Sequence, residues 1–309
     1  MEEPVVKVER LSHRYSVQWA IRDISFEIPG KGIYGLLGSN GAGKSTTMNI
    51  ISGVIKQTEG SVFIKGIDTR KEPVRAKRLI GFLPQKPPLY GDLTVEEYLT
   101  HTARLRWVPD DKLTPAVEEV MERCGIMHFR KRLIKNLSGG YQQRVGIAQA
   151  IVHKPELVIF DEPTNGLDPN QIVEVRHLIK DIAEERTVIL STHILTEVQA
   201  VCESIMMIEE GRLVFMGSVE EFDNYVTPST LYVSFVDAPA SDVFSRMEGV
   251  QKVEELGPGK FRIHFADAQE VIDQIVKASA AGGWRLSEIR VEKSSLDNIF
   301  AELSKKIQK

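Results

Sequence analysis

The sequence has very little cysteine and no long hydrophobic run. Its only two cysteines, Cys124 and Cys202, lie far apart in a chain of 309 residues and follow no metal-ligand spacing, which is typical of a protein from a reducing compartment. No stretch reaches the ~18 consecutive apolar residues that a membrane-spanning helix requires, and the N-terminal residues do not resemble a signal peptide. These absences predict a cytoplasmic protein, so that any path through a membrane would have to come from another polypeptide.

The sequence also lacks an excess of positive charge. The formal net charge is −4, which gives no reason to expect a nucleic-acid partner. With 42% apolar and 27% charged residues, the chain is long enough for one larger domain and a smaller second one.

A glycine-rich segment is the most informative feature that is present. It follows an apolar run, Gly32 to Leu37, that is typical of a strand, and it precedes a helical pattern that extends to Ile51. Glycines allow many backbone N–H groups to approach one phosphate, and the helix N-terminus adds partial positive charge. We therefore predict that the segment binds the phosphates of ATP, with Lys44 on the β- and γ-phosphates and Ser45 on Mg²⁺. The predicted phosphate-binding residues are Gly38, Ser39, Asn40, Gly41, Ala42, Gly43, Lys44, Ser45 and Thr46.

Two acidic residues follow a second apolar run, Leu157 to Phe160. Four consecutive apolar residues are typical of a strand that is buried on both faces. Asp161, at its carboxyl end, is predicted to help hold Mg²⁺, and Glu162 to act as the general base that takes a proton from the attacking water. A solvated strand end is the commoner explanation of an acidic pair, but the following segment, Pro163 to Pro169, disfavours it.

These motifs, in this order and spacing, resemble the nucleotide-binding subunits of ABC transporters over roughly residues 1 to 225. The resemblance implies a ring of Tyr15 stacked on adenine, a Gln85 that touches Mg²⁺ and the water and responds to the transport partner, and a His193 that contacts the γ-phosphate. The family commonly has proline where this chain has Ser39, and we expect that position to face away from the chemistry.

The segment from Leu137 to Arg144 resembles the signature of the same family. We predict that Ser138, Gly139 and Gly140 lead into a helix from about residue 141 to 152, which makes a second half-site for an anion. The resemblance implies that this half-site closes over the ATP of a second ATPase subunit in a head-to-tail homodimer, with Asp168 at the same interface.

The predicted fold is an α/β P-loop NTPase with a parallel sheet, an antiparallel β subdomain and an α-helical insertion at about residues 86–155. Within the insertion, a capping box at Thr94 and helices over 94–105, 115–124 and 142–152 are expected. The resemblance implies that the integral membrane permease docks around Lys86 to Arg104. The predicted domains are residues 1–225 for the ATPase and 230–309 for a small, ferredoxin-like α+β domain that ends in a helix over 295–305.

The end of the chain, around Ser294 to Phe300, is similar to ATPase subunits of ABC-2 type exporters, including those linked to drug resistance and gliding motility. We therefore expect an ATP-hydrolysing motor that is held at the inner face of the membrane by its permease. The single set of motifs disfavours a ribosome-acting ABC ATPase, and the absence of heptads disfavours a DNA-repair one. A regulatory or assembly ATPase without transport remains an alternative.

Overall fold

The computed structural model describes residues 3–225, 230–265 and 267–292. The chain forms two compact units that divide between Val219 and Glu220. The domain limits predicted above, 1–225 and 230–309, stay a prediction, and the helix expected over residues 295–305 and the exporter-like tail lie outside the described residues. Within the described ranges, no helix is both long enough and apolar enough to cross a bilayer.

The first unit contains two sheets and the helices that surround them. Its strands are β1 (Val6–Tyr15), β2 (Gln18–Ile28), β3 (Gly32–Leu37), β4 (Glu59–Ile64), β5 (Ile67–Asp68), β6 (Ile80–Leu83), β7 (Leu157–Asp161), β8 (Thr187–Thr192), β9 (Ser204–Glu209) and β10 (Arg212–Ser218). Its helices are α1 (Lys44–Ile51), α2 (Pro73–Arg78), α3 (Val95–Leu105), α4 (Asp110–Arg123), α5 (Gly139–Ile151), α6 (Pro169–Ala183) and α7 (Leu195–Val201), and α8 (Val219–Tyr225) follows at the division between the units.

The central sheet has the strand order β10-β9-β3-β8-β7-β6. Strands β9, β3, β8, β7 and β6 run parallel, and β10 pairs antiparallel with β9 at one edge. The strands β3, β7 and β8 are buried along their whole length, because helices cover both faces of a parallel sheet. The second sheet, β2-β1-β4-β5, is antiparallel. Both sheets contribute to one hydrophobic core, and together they confirm the predicted fold class.

The range between β6 and β7, which the structure describes in full, contains helices and two short 3₁₀ turns but no strand, as predicted for the insertion. Helix α3 begins with the predicted capping box, in which Thr94 and Glu97 each accept a hydrogen bond from the other's backbone N–H. The predicted start of α4 at Pro115 is wrong, because the helix begins at Asp110. Two aspartates in its first turn interact favourably with the helix dipole, and the buried stripe of Leu113 and Val117 extends one turn further towards the N-terminus than predicted.

The second unit has an antiparallel sheet with the order β12-β13-β11-β14. Its elements are β11 (Thr230–Phe235), α9 (Ser241–Ser245), β12 (Val250–Gly257), β13 (Lys260–Phe265), α10 (Ala268–Gly282) and β14 (Leu286–Glu292). This β-α-β-β-α-β succession is that of the ferredoxin-like motif. A separate hydrophobic core, which includes Leu231, Phe244, Ile263 and Ile275, holds the sheet and its helices together.

Candidate functional site

The phosphate-loop candidate connects β3 to α1 at the carboxyl edge of the central sheet. Two of its glycines are required by close packing: a Cβ on Gly38 would lie 2.3 Å from the carbonyl oxygen of Ile208, and a Cβ on Gly43 would lie 2.5 Å from Cγ2 of Ile21. Gly41 has φ +85°, and a Cβ there would have no atom within 4 Å, so the backbone at this position is open to a ligand. Asn40 and Ser45 are also exposed, whereas Ala42 is buried and Thr46 half-buried.

Lys44 lies inside this loop rather than in solvent. Its Nζ donates hydrogen bonds to the carbonyl oxygens of Gly38, at 2.8 Å, and Ser39, at 3.0 Å. Burial lowers the pKa of Lys44, and the carboxylates of Glu162 and Asp161 act in the opposite direction. An ammonium group has three donors, so one N–H of Lys44 remains for a phosphate oxygen.

Ser39 contacts Glu209 and Lys44, and the expectation that this position faces away from the chemistry stays a prediction. Its hydroxyl donates to Oε1 of Glu209 at 2.9 Å, and its carbonyl accepts from Lys44. Glu209 is the last residue of β9, and its carboxylate also acts on Lys44 to raise the pKa of the ammonium group. A proline at position 39 would have no hydroxyl to donate to Glu209. The contact therefore requires the serine that this chain has in place of the common proline.

Asp161 and Glu162 lie at the end of β7 in different surroundings. Asp161 is buried and accepts a hydrogen bond from the Ser191 hydroxyl of β8. Glu162 extends into the more open region beside it, with φ +49°, a left-handed conformation that is uncommon for a residue other than glycine. The N–H of Glu162 donates to the hydroxyl of Ser191 at 3.3 Å, so one serine contacts both acidic residues.

The predicted catalytic residues are brought together around the carboxylate of Glu162. Gln85 donates from Nε2 to Oε2 of Glu162 at 3.0 Å, and Nδ1 of His193 lies 3.1 Å from Oε1. A further contact, which sequence reasoning missed, is the side-chain amide of Asn165, 3.4 Å from Oε2. The strands that precede these residues, β6, β7 and β8, are neighbours in the sheet, and parallel strands present their carboxyl ends at one edge.

The residues available to Mg²⁺ are oxygen donors on neighbouring elements. They are the exposed hydroxyl of Ser45, the carboxylate of Asp161 and the amide oxygen of Gln85. In the described part of the chain no group of three or more His, Cys, Asp or Glu residues could enclose a metal ion by itself. That donor set fits Mg²⁺, which prefers oxygen ligands and is commonly held by one or two carboxylates together with substrate phosphates.

The signature segment presents a helix start to solvent. Ser138 is the N-cap of α5, and Ser138 and Gly139 are exposed; the helix begins two residues earlier than predicted. Gly140 is buried, and a Cβ there would lie 2.5 Å from Cδ of Gln171, so a larger residue would displace that side chain. Among the described residues, no hydrogen bond joins Ser138, Gly139 or Gly140 to the phosphate loop of the same chain.

Asp168 and Tyr15 occupy exposed positions. The carboxylate of Asp168 caps α6 by accepting from the N–H groups of Asn170 and Gln171, each at 3.0 Å. The ring of Tyr15, 53% exposed at the end of β1, meets the ring of His13 edge to face with centroids 4.7 Å apart. The tyrosine side chain is therefore accessible to a ligand.

Sequence reasoning missed three polar residues that support this site: Ser191, Glu197 and Glu209. Each lies on β8, β9 or the helix between them, and each contacts a predicted site residue or its neighbour. A polar residue at the end of a buried apolar strand is a signal that could have identified Ser191 and Glu209, since such ends form the ligand edge of a parallel sheet.

Comparison with known proteins places this geometry in context. The sequence profile of the ABC transporter family matches residues 21–165, and a profile described as an AAA domain, putative AbiEii toxin, matches residues 136–198. The bacitracin transport ATP-binding protein BcrA of Bacillus licheniformis is 33% identical over 306 residues, which cover 97% of each chain. The linearmycin resistance ATP-binding protein LnrL of Bacillus subtilis is 28% identical over 305 residues, 97% of this chain and 98% of that protein.

A solved structure shares the same arrangement. The ATP-binding cassette MJ0796, described as a dimer in a post-hydrolysis state bound to ADP and Pi, matches with a TM-score of 0.63 and 26% identity, over 69% of this chain and 98% of that one.

Proposed function

The chain belongs to the ABC transporter family of ATP-binding proteins, and we propose that it is the ATP-hydrolysing motor of an export system that works as a dimer beside a separate membrane permease. The observation that carries the proposal is the carboxylate of Glu162, held between Gln85 and His193 at the sheet edge that also presents Lys44. ATP binding and hydrolysis follow from membership of the family.

Within this site we assign each side chain a part in hydrolysis. Backbone N–H groups of residues 38–46 and the free N–H of Lys44 would hold the phosphates, while Tyr15 would stack on adenine. Glu162 would take a proton from the attacking water. As this happens, the water oxygen bonds to the γ-phosphorus, and the bond between the γ-phosphorus and the bridging oxygen of the departing ADP breaks. His193, with one ring nitrogen on Glu162, would present the other to the γ-phosphate.

Mg²⁺ fits the donors Ser45, Asp161 and Gln85, and when bound it would neutralise part of the charge on the β- and γ-phosphates. The buried position of Asp161 and its bond from Ser191 keep its carboxylate in one orientation. Gln85 donates to Glu162 through its nitrogen, so its amide oxygen remains for the ion. No covalent intermediate is required.

The dimer is proposed because the helix start at Ser138 and Gly139 is exposed and makes no bond to its own phosphate loop in the described residues. Its N–H groups and hydroxyl would complete the γ-phosphate site of a second, identical subunit in a head-to-tail arrangement, with Asp168 at the same interface. ATP favours the closed dimer only through contacts that the separate subunits lack, and the second half-site would provide them.

A permease contact is proposed on the helical insertion between Lys86 and Arg104. Tyr90 is exposed there and meets Tyr98 and His101 edge to face. Leu105 and Trp107, just after this segment in sequence, line a groove together with Val54 and Phe82, and the side chains of Val54, Leu105 and Trp107 are exposed. Apolar surface of this kind marks contacts with other proteins. Docking here would hold the subunit at the inner face of the membrane.

The exported cargo is proposed to be an antimicrobial compound. The full-length similarity to proteins for bacitracin transport and linearmycin resistance supports this class. It also favours export over the alternative of a regulatory ATPase without transport.

The test uses Glu162→Gln in the full chain. The amide cannot accept the proton of water, so hydrolysis should fall at least about a hundredfold, while ATP binding persists and the dimer accumulates. Gel filtration with Mg-ATP should show a dimer for this variant and a monomer for the matched Lys44→Ala/Glu162→Gln control. A monomer in both cases would contradict the assignment of the two half-sites.

The same preparation tests the transport partner. When Glu162→Gln is recovered from native membranes with mild detergent and Mg-ATP, a multispan membrane protein should co-purify. Recovery of soluble factors alone would leave the ATPase chemistry in place and would overturn the export function.

A further inference from the structure

A buried carboxylate outside the reacting groups joins the loop after β7 to the end of β8. Glu197, on α7, is only 5% exposed. Its Oε1 accepts a hydrogen bond from the hydroxyl of Thr164 at 2.7 Å, and its Oε2 accepts one from the hydroxyl of Thr192 at 2.8 Å. Nη2 of Arg176, on α6, lies 3.6 Å from Oε1. Burying a charge is costly unless it is paired, so three elements converge to keep this carboxylate in place.

The first arm of this contact reaches the residue before His193. The hydroxyl of Thr192 donates to Glu197 and accepts from the N–H of Ile194 at 3.1 Å. The backbone on both sides of His193 is thereby fixed, while the imidazole itself is exposed and contacts Glu162. The position of His193 therefore depends on the hydroxyl of Thr192 and on the carboxylate that orients it.

The second arm reaches the loop that runs from Glu162 to Asp168. Thr164 lies in this loop, and the preceding carbonyl, of Pro163, accepts from Nε2 of Gln143 at 2.7 Å. Gln143 belongs to α5, the helix that begins at the signature residue Ser138. A continuous set of hydrogen bonds and short backbone links thus leads from the signature helix through Thr164 and Glu197 to Thr192.

We propose that Glu197 is a positioning residue for ATP hydrolysis, which clamps the Thr164 loop to Thr192 so that the signature helix and His193 move as one body. The inference rests on the proposed function, because in the head-to-tail dimer the signature helix contacts the partner's ATP whereas His193 contacts the chain's own ATP. The clamp would thus link the two ATP sites. Two acceptor oxygens are needed for two hydroxyl donors, which explains a carboxylate at this position.

The experiment breaks each arm separately in the full chain. Thr164→Val and Thr192→Val remove one hydroxyl each with almost no change in side-chain shape, and Glu197→Gln removes the charge and one acceptor. The matched control is Thr187→Val, at the opposite end of β8, whose buried hydroxyl donates to the carbonyl of Gly30 at 2.7 Å. Steady-state ATPase kinetics with Mg-ATP give kcat and KM for all four variants.

We expect kcat to fall about tenfold in each arm variant, since small displacements of an aligned group are costly, with KM for ATP within about twofold of the wild-type value. The double variant Thr164→Val/Thr192→Val should be hardly slower than either single one, because losing one arm already opens the clamp. Thr187→Val should retain the wild-type kcat. A purely structural role would lower stability without this separation of kcat from KM.

The inference is overturned if Thr164→Val and Thr192→Val retain kcat within about twofold, or if their effects simply multiply. If Glu197→Gln fails to fold, the two threonine variants still test the inference. Failure of the proposed function can be distinguished from failure of this inference. It would appear, independently of these variants, as a wild-type chain without ATPase activity or as a Glu162→Gln variant that forms no ATP-dependent dimer.

Discussion

Glu162 combines a reactive side chain with an unfavourable backbone conformation. Its φ of +49° places it in the left-handed region, which costs roughly 1–2 kcal/mol for a residue with a Cβ. The neighbouring bonds from its N–H to Ser191 and from Gln85 and Asn165 to its carboxylate hold it there. Strain of this kind persists where surrounding contacts determine the conformation, and it is common at functional sites.

The strain predicts different stabilities for two variants that both lack the carboxylate. Glu162→Gly should be more stable than Glu162→Ala by about 1 kcal/mol, because glycine adopts positive φ without steric cost. Both variants should lose ATP hydrolysis. Urea unfolding without nucleotide, followed by circular dichroism, measures the difference.

The exposed strand residue Glu27 provides the matched control. It does not have positive φ, so Glu27→Gly should be less stable than Glu27→Ala, the reverse order. An equal or reversed order at position 162 would show that the backbone there is not strained.

At the scale of elements, His153, two residues after the end of α5, contacts the first residue of β6. Its Nε2 lies 3.1 Å from the carbonyl oxygen of Ile80, and within the described ranges its buried Nδ1 has no hydrogen-bond partner. Burial, together with the nearby cations of Arg106 and Arg186, lowers the pKa of His153 to about 4. The folded protein therefore keeps this imidazole neutral over a pH range in which the unfolded chain, with a pKa near 6.5, protonates it.

This difference predicts a loss of stability in acid. Between about pH 6.5 and pH 4 the unfolded state binds more protons at this site, so the free energy of unfolding falls as pH falls. His153→Gln can still donate to Ile80 and has nothing to protonate. Between pH 7 and pH 5, the free energy of unfolding of this variant should fall by on the order of 1 kcal/mol less than that of the wild type.

Urea unfolding at a series of pH values measures that slope. His177→Gln, an exposed position on α6, is the matched control and should follow the wild-type curve. Parallel curves for His153→Gln and the wild type would rule out a contribution from His153.

Most of the elements were predictable because their signals are local. The apolar run before Asp161 predicts β7, and the Thr94 capping box predicts the start of α3. The edge strand β10 was missed because its residues are mostly half-buried and show no clear alternation. The start of α4 lies at Asp110 and not at Pro115, because proline, which is typical of the first turn of a helix, lies within this helix.

The candidate site was predictable to the extent that its residues follow consecutive strands of one parallel sheet. Gln85, Glu162 and His193 converge for that reason, and their chemical roles stay a prediction. Contacts such as Ser39 with Glu209 and Thr164 with Glu197 join residues that are distant in sequence, 170 and 33 positions apart. No local pattern specifies such pairs, since they are set by how α7 and β9 pack.

On the scale of the whole molecule, the two units have separate hydrophobic cores. The core around β3, β7 and β8 and the core around β11 and β13 share no residue. The phosphate loop, the acidic pair and the signature segment all belong to the first unit. A change in the second core should therefore leave ATP binding intact, even where it unfolds the second unit.

Phe244 offers the sharpest test of that separation. It is fully buried, stacks on Phe235 and also contacts Phe261 and Trp284, with ring centroids 5.5, 4.9 and 5.8 Å away. Phe244→Ala should cost about 3–5 kcal/mol, a large part of the total stability of a small domain. Scanning calorimetry of the full chain should show one transition moved to lower temperature, while the transition that Mg-ATP stabilises keeps its position.

Val276→Ala, on the exposed face of α10, is the matched control and should move neither transition. If Phe244→Ala instead weakened ATP binding by more than about threefold, the two cores would be energetically coupled, because a ligand stabilises only the unit whose folding its site requires.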